Sequence, residues 1–546
     1  MFPNPVLHFL ASVPLLAPAQ GHASDGTPAF VFPRVDVAEL LREDAERGGL
    51  AFRYGVPLAC ALDPEHAGAW EEQGQELVWR LVVRSPGALS LGAGFEPFEL
   101  PAGGALTVAG RRDGKVLGPF TQCDRGPDGR LPLEPLDGEE LLLEYRQPVT
   151  LAERPAFVLS EVIHDYRGVF DEFREGEIYE LGAGLCFVDA NCAEGLPYQD
   201  HKRSVVRLLI NGYYCSGTLL NNTAEDQTPY VITARHCITN IEHLTVGTHF
   251  LYEHTGCNPT YPREIRERFA IRGATFLAGS TRFDQALLLL HERVPEDFLP
   301  RFAGWDRNPD FHFGPGVCIG HPLTEPKKIA IDDGDFARQR DVRWWQADWE
   351  LGMLHLGSSG SSIVNGDGLV FGVASRAQAD FLCATQYVLF GRFAPFWDSE
   401  DLWRWLDPLG NDPETLAPFD PILAQAVPDL GSGVNPADLV STRPPRVGKP
   451  WGAAVDLTRH AGATSTWLFG VLRPRLVSLP LGELLVDPSS PRAFFSSAGR
   501  NGDSSQHVID IPADPFLAGT SVYTQALVLD AAGPLVLTNA YRLSLE

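Results

Sequence analysis

The sequence predicts an all-β protein built from several domains, and three observations carry that reading. At 546 residues the chain exceeds what one hydrophobic core supports, which implies roughly two to four domains. Its 53 glycines and 44 prolines break the text at strand-length intervals and favour short strands and turns over long helices. Apolar residues make up 44%, enough to fill sizeable cores, and they alternate with polar ones in runs such as ELVWRLVVRS at 76–85.

Charge narrows the function. Lys and Arg total 44 against 70 Asp and Glu, a formal charge of −26, which argues against nucleic acid or an anionic membrane as partner. The acidic surplus is spread along the chain and serves solubility. At the start, VLHFLASVPLLAPA at 6–19 precedes two small-residue cleavage motifs, Ala17-Pro18-Ala19 and Gly21-His22-Ala23. Residues 1–23 therefore read as an export signal, with Pro14 and Pro18 arguing against a spanning helix. No other stretch approaches the roughly 20 apolar residues needed to cross a bilayer, so a secreted protein without membrane insertion is expected. Export permits disulfides, so the nine cysteines are read as bridges first, and the odd count leaves at least one free.

Taken in order, VDVAELLREDAERGG, within 26–50, predicts a short amphipathic helix, and the rest of 24–180 predicts a β-sandwich-like domain. Cys60 and Cys123 lie in this block and are expected to pair. It carries no catalytic cluster.

Chemistry gathers in the middle. RSVVRLLINGYYCSGTLLNNT at 203–223 and YVITARHC at 230–237 are strands, with His236 immediately before Cys237. A Cys215–Cys237 bridge would fix the backbone beside a histidine that has to hold its place through a proton transfer. FDQALLLL at 283–290 sets Asp284 ahead of a buried strand, where its carboxylate can orient an imidazole. GSSGSSIV at 357–364 places Ser359 in a glycine turn, where the N–H groups of Gly357 and Ser359 can converge on one oxyanion. Alone, each is an ordinary turn or strand residue; together, in the order His, Asp, Ser, they form a nucleophilic triad. An α/β-hydrolase elbow is excluded: position 361 is serine, a hairpin follows instead of a helix, and the triad order is reversed.

These residues carry a resemblance. Cys-Ser-Gly-Thr-Leu-Leu, Thr-Ala-Arg-His-Cys, the Asp-x-x-Leu-Leu start of 284–288, FAGWDRN at 302–308, GHP at 320–322 and WRWLDP at 403–408 resemble trypsin-like secreted bacterial serine proteases of the lysyl endopeptidase type. The likeness covers roughly 181–421, and WRLVVRSPGALSLGAGFEPFELPAGG resembles their propeptide region. It implies a trypsin-like double β-barrel, a zymogen, protein or peptide substrates and no cofactor. It also implies the pairs Cys186–Cys383, Cys192–Cys257 and Cys215–Cys237, leaving Cys318 as an inert core thiol in GVCIG.

The chain departs from that pattern in three places. Ser358 stands where trypsin has the aspartate that pairs with a newly cut amino terminus. The acid that would pair with a substrate lysine is replaced by Thr385 or Val388, and the neighbouring histidine by Ser375, with Asp380 read as a loop residue. A pocket lined by Ser375, Thr385 and Val388 leaves a lysine ammonium without a partner, so a small or apolar side chain is expected there. The junction REGEIYELGAG offers no lysine for self-processing, and Arg174 is its nearest basic residue.

Residues 422–448, rich in proline, read as a linker, and 449–546 as a carboxy-terminal β-sandwich module. The 15 histidines show no HExxH or comparable ligand spacing, and no glycine loop for phosphate occurs, so no metal is implied. The alternative function is a secreted binding or adhesion protein on an inactive protease fold, which would be expected to have lost the histidine or serine that this chain keeps.

Overall fold

The computed structural model describes residues 19–47, 52–168, 186–241, 244–254, 256–257, 269–312, 314–334, 336–337, 342–377, 387–421, 426–429, 431–442, 445, 448, 450–512, 517, 520–530 and 536–545. The all-β expectation holds: among the described residues, apart from the helix Val37–Arg47 and short helical turns, the elements are strands. The chain divides into two compact units, Met1–Val294 with Phe302–Pro418, and Pro295–Arg301 with Phe419–Glu546.

The first unit begins with a β-sandwich. One sheet runs Ala19–His22, Pro28–Val31, Glu76–Arg84, Glu140–Pro148, Ala105–Gly110 and Val116–Phe120, with Ala69–Gln73 also on Glu76–Arg84. The other runs Leu131–Asp137, Ser90–Glu99, Ala156–Asp165 and Gly55–Leu62. Alternation explains the packing, since Leu141, Leu143 and Tyr145 are buried while their neighbours are half-exposed. They meet Trp79, Phe95, Phe98 and Phe157 in one aromatic core. Truncating Phe157 to alanine would cost about 3–5 kcal/mol.

One expectation changes here, and another falls mostly outside the described residues. Of the export signal 1–23, residues 1–18 lie outside the described residues, and Ala19–His22 pairs with Pro28–Val31 as an outer strand. Cys60 and Cys123 are unpaired. Cys60 sits in the strand Gly55–Leu62 and donates to the Leu159 carbonyl, whereas Cys123 lies exposed in the turn after the opposite sheet's last strand. A bridge would have to cross between the two sheets.

The rest of this unit is a pair of curled, mainly antiparallel sheets. The first runs Phe269–Arg272, Val246–Phe250, Val205–Ile210, Tyr213–Leu220, Tyr230–Thr233, Gln285–Leu290 and Ala274–Ser280. Its eighth strand is Phe52–Arg53, which lies in the chain between the sandwich strands Pro28–Val31 and Gly55–Leu62 and pairs with Tyr213–Leu220. The second contains Val188–Asp189, Lys328–Asp332, Gly316–Gly320, Ser362–Val364, Val370–Ala377, Trp305–Asp306 and Thr415–Leu416, with Trp344–Asp348 and Tyr387–Arg392 joined to its flank. The sheets share one core in which Val205, Ile232 and Leu287 meet Val317, Ile319 and Val373. Helix Phe393–Ser399 adds Phe396 and Trp397 to it.

The second unit is another β-sandwich, and it changes a boundary. Ala426–Asp429 pairs with Val536–Ser544 in a five-stranded sheet, and Leu439–Ser441 pairs with Pro450–Asp456 in a three-stranded one, so the expected linker 422–448 supplies strands to each. Its prolines misled because proline is tolerated on outer strands, and Ala426–Asp429, which carries Pro428, is the outermost of its sheet. Trp451, Leu468, Val528 and Leu543 centre this core. Among the described residues no helix is long and apolar enough to cross a membrane.

Candidate active site

His236 lies in the turn Arg235–Cys237 that ends the strand Tyr230–Thr233. Cys215 and Cys237 are bonded, closing the 22-residue separation between them and tying the histidine's neighbour to the adjoining strand. Asp284 adopts φ 52°, a left-handed conformation that aspartate tolerates better than most residues. That turn brings its carboxylate under the imidazole just before Gln285–Leu290 begins. Oδ1 accepts the His236 backbone N–H at 3.0 Å, and Oδ2 accepts from Nδ1 at 2.7 Å. Oδ2 also accepts from the Ser375 hydroxyl. With Nδ1 committed as donor, Nε2 is the basic nitrogen, and it has no hydrogen-bond partner among the described residues.

Ser359 is held by backbone stitching. Gly357 has φ +94° and Gly360 φ +90°, conformations that side-chain-bearing residues rarely adopt. A Cβ on Gly357 would lie 2.6 Å from the His321 carbonyl oxygen, and one on Gly360 only 2.2 Å from the oxygens of Ser216 and Thr233. The Ser216 N–H donates to the Ser359 carbonyl at 2.8 Å, and its hydroxyl donates to the Gly357 carbonyl at 2.9 Å. On the opposite side the Gly360 N–H donates to Ala374 at 2.9 Å. These bonds clamp the serine loop between the two sheets and set the Ser359 carbonyl 3.9 Å from Cys237 Sγ, beside His236. Ser216 went unassigned in the sequence, although it directly follows Cys215; its role exists only once both sheets are assembled.

The expected pocket residues separate. Ser375 is buried and turned to Asp284, because a register shift between Ala374 and Arg376 places it in a bulge that re-aims its side chain. It is a partner of the aspartate and not a pocket wall. Val388 belongs to the buried cluster of Trp345, Ala347, Ala374 and Phe390, so it too is core. Thr385 and Asp380 lie outside the described residues.

Cys192 and Cys257 are bonded. Cys186 is disulfide-bonded as well, and its expected partner Cys383 lies outside the described residues. Cys318 is fully buried and free, and burial pushes its thiol far up, which leaves it unreactive.

Residues 182–380 match the family model described as lysyl endopeptidase, C-terminal domain. A lysyl endopeptidase of Pseudomonas aeruginosa is 29% identical over 209 residues, covering 34% of this chain and 43% of that protein. The chain thus matches less than half the length of this curated relative. Among solved structures, human heparin binding protein aligns at 18% identity and TM-score 0.27, covering 39% of this chain and 94% of that one. Kallikrein-related peptidase 10 aligns at 13% identity and TM-score 0.27, covering 39% and 97%. Neuropsin, a serine protease of mouse brain, aligns at 12% identity and TM-score 0.28, covering 41% and 98%. Over its central third, this chain is therefore similar to the trypsin-like serine proteases of the lysyl endopeptidase type.

Proposed function

We propose that the chain is a secreted serine endopeptidase that hydrolyses peptide bonds through His236, Asp284 and Ser359. The observation that carries this reading is the contact of His236 Nδ1 with Asp284 at 2.7 Å, with Nε2 left uncommitted beside a doubly stitched serine loop. In the first step Ser359 Oγ attacks the carbonyl carbon while Nε2 takes its proton. The oxyanion is received by the N–H groups of Gly357 and Ser359, each worth about 3–4 kcal/mol in the transition state. The imidazolium then protonates the leaving amine, and water releases the acyl group by the same route in reverse.

The finer reading is a preference for a small or apolar residue before the scissile bond. It is supported by the sequence, in which the position that the likeness assigns to the lysine-pairing acid, 385 or 388, holds no carboxylate. The test is cleavage of a diverse peptide library by the purified protein, with Ser359→Ala alongside. Cleavage by wild type alone, after small or apolar residues, is expected. Equal activity of both proteins would overturn the triad, and cuts clustered after lysine would overturn the pocket reading.

A further inference from the structure

The strand Tyr213–Leu220 has two flanks, and their occupancy is unequal. One flank pairs with Val205–Ile210 from Val205↔Thr218 to Ile210↔Tyr213. On the other, Thr218–Leu220 pairs with Tyr230–Thr233, the strand that leads into His236. What remains of that second flank faces the catalytic residues. Ser216 spends its part on the carbonyls of Gly357 and Ser359. Beyond Cys215, the two positions that follow are taken by Phe52–Arg53, with Tyr214 opposite Phe52 and Tyr213 opposite Arg53.

This added strand is firmly fixed. The N–H groups of Tyr54 and Gly55 both donate to the Gly212 carbonyl, at 2.9 and 3.0 Å. Arg53 is buried and bonded to Asp44 at 2.7 Å and to Glu43 at 3.1 Å, both on helix Val37–Arg47. Phe52 meets the Tyr214 ring edge-on at 6.3 Å, and that ring lies against Gly357, where an added Cβ would sit 3.0 Å from it.

In the proposed reaction the acyl carbon sits at Ser359 and the leaving nitrogen at His236 Nε2. The leaving chain then departs past the Cys215–Cys237 bridge, along the flank that Phe52–Arg53 occupies. Polypeptides bind proteases and chaperones by this same strand addition, in which backbone hydrogen bonds supply affinity.

We propose that Phe52–Arg53 is a built-in plug on the leaving-group side, a strand that holds the backbone edge a long polypeptide substrate needs. The inference rests on the proposed triad. It makes the intact chain competent towards acyl donors with short leaving groups, while substrates continuing beyond the scissile bond must displace the strand first.

The test uses the full chain and two substrates sharing one acyl side, one ending in a nitroanilide and one continuing four residues further. Fluorophosphonate labelling of Ser359, which needs nothing on the leaving side, reports the triad independently. In Phe52→Ala the ratio of extended to short turnover is expected to rise at least tenfold, with labelling and short-substrate turnover within twofold of wild type. An unchanged ratio in a variant that labels normally overturns the plug. If Phe52→Ala does not label, Phe52→Leu replaces it; a smaller rise supports the proposal and an unchanged ratio overturns it. If wild type does not label, the triad reading falls, and hydrogen exchange then decides the strand. Loss of protection at the Tyr54 and Gly55 amides on adding the four-residue leaving peptide supports the plug, and unchanged protection overturns it.

Discussion

His236 and His254 each present Nδ1 to an aspartate, yet the two pairs sit in different surroundings. His236 meets Asp284 with side chains 13% and 11% exposed, and the remaining carboxylate contacts are uncharged donors, a backbone N–H and the Ser375 hydroxyl. His254 meets Asp189 at 2% and 0% exposure, and Asp189 is also paired with Lys328 at 3.3 Å. Nearby, Glu253 bridges Lys202 at 3.1 Å and Lys327 at 3.3 Å. The chain holds further pairs of this kind, His312 with Asp306 at 3.1 Å and His460 with Asp438 at 2.7 Å. A histidine–aspartate contact is thus a common structural tie. What marks the first pair is its position beside a serine loop, with a carboxylate free of any lysine or arginine counter-charge in its described hydrogen bonds.

That contrast can be broken from either side. The largest effect is expected from Asp284→Asn, which leaves the imidazole in the wrong tautomer. Peptide turnover should fall about 10⁴-fold with the fold retained, measured as kcat beside a thermal melt. Asp189→Asn should do the opposite. It strips a buried lysine of a partner, costing about 3 kcal/mol in a denaturant titration while leaving turnover per labelled Ser359 unchanged.

The same buried network predicts a pH dependence. Burial alone would raise the Glu253 carboxyl, but the Lys327 and Lys202 ammoniums hold it below the ordinary glutamate range. Burial likewise opposes the charged form of Asp189, and the His254 hydrogen bond and Lys328 outweigh it. Groups depressed in the folded state add stability that is complete above their unfolded values, about 3.9 for Asp and 4.3 for Glu. That stability is lost as pH falls through the lower folded values. Melts should therefore lose these contributions only below about pH 4, and Asp189→Asn should flatten the acid limb. A steeper acid limb in the variant would contradict the assignment.

Smaller effects are expected where a single hydrogen bond is removed. Ser375→Ala removes one donor from Asp284 and should lower kcat about tenfold, near the energy of one hydrogen bond to a charged group. Asp438→Asn, in the second unit, should cost about 1 kcal/mol of that unit's stability and leave turnover untouched.

Much of the site was legible because its chemistry is local in sequence. His236 stands beside its cysteine, Asp284 heads a buried strand, and the glycines around Ser359 announce a turn that other residues could not make. Where roles depend on register, reading failed. Ser375 belongs to Asp284 only because a bulge turns it, and nothing in LVFGVAS marks a bulge. Val388 looked like a pocket wall by position and is core by alternation along Tyr387–Arg392. Cys60 and Cys123 invited pairing by sharing one block of sequence, but Cys60 lies on one sheet of the sandwich and Cys123 in the turn that follows the last strand of the other. Phe52–Arg53 is two residues long, too short for any period to show, and its partner strand lies some 160 positions onward (53 to 213).

The short segment Pro295–Arg301 belongs with the carboxy-terminal unit although strands of the first unit flank it on both sides, Gln285–Leu290 before and Trp305–Asp306 after. The terminal sandwich is therefore not a bead that a single cut or a single recombination event could exchange. Any transplant of this module to another protease would have to carry two pieces of sequence, the tail from Phe419 and the seven-residue excursion from 295 to 301. A library of chimeras joined at one crossover should yield few soluble members, and one that grafts both pieces together should recover them.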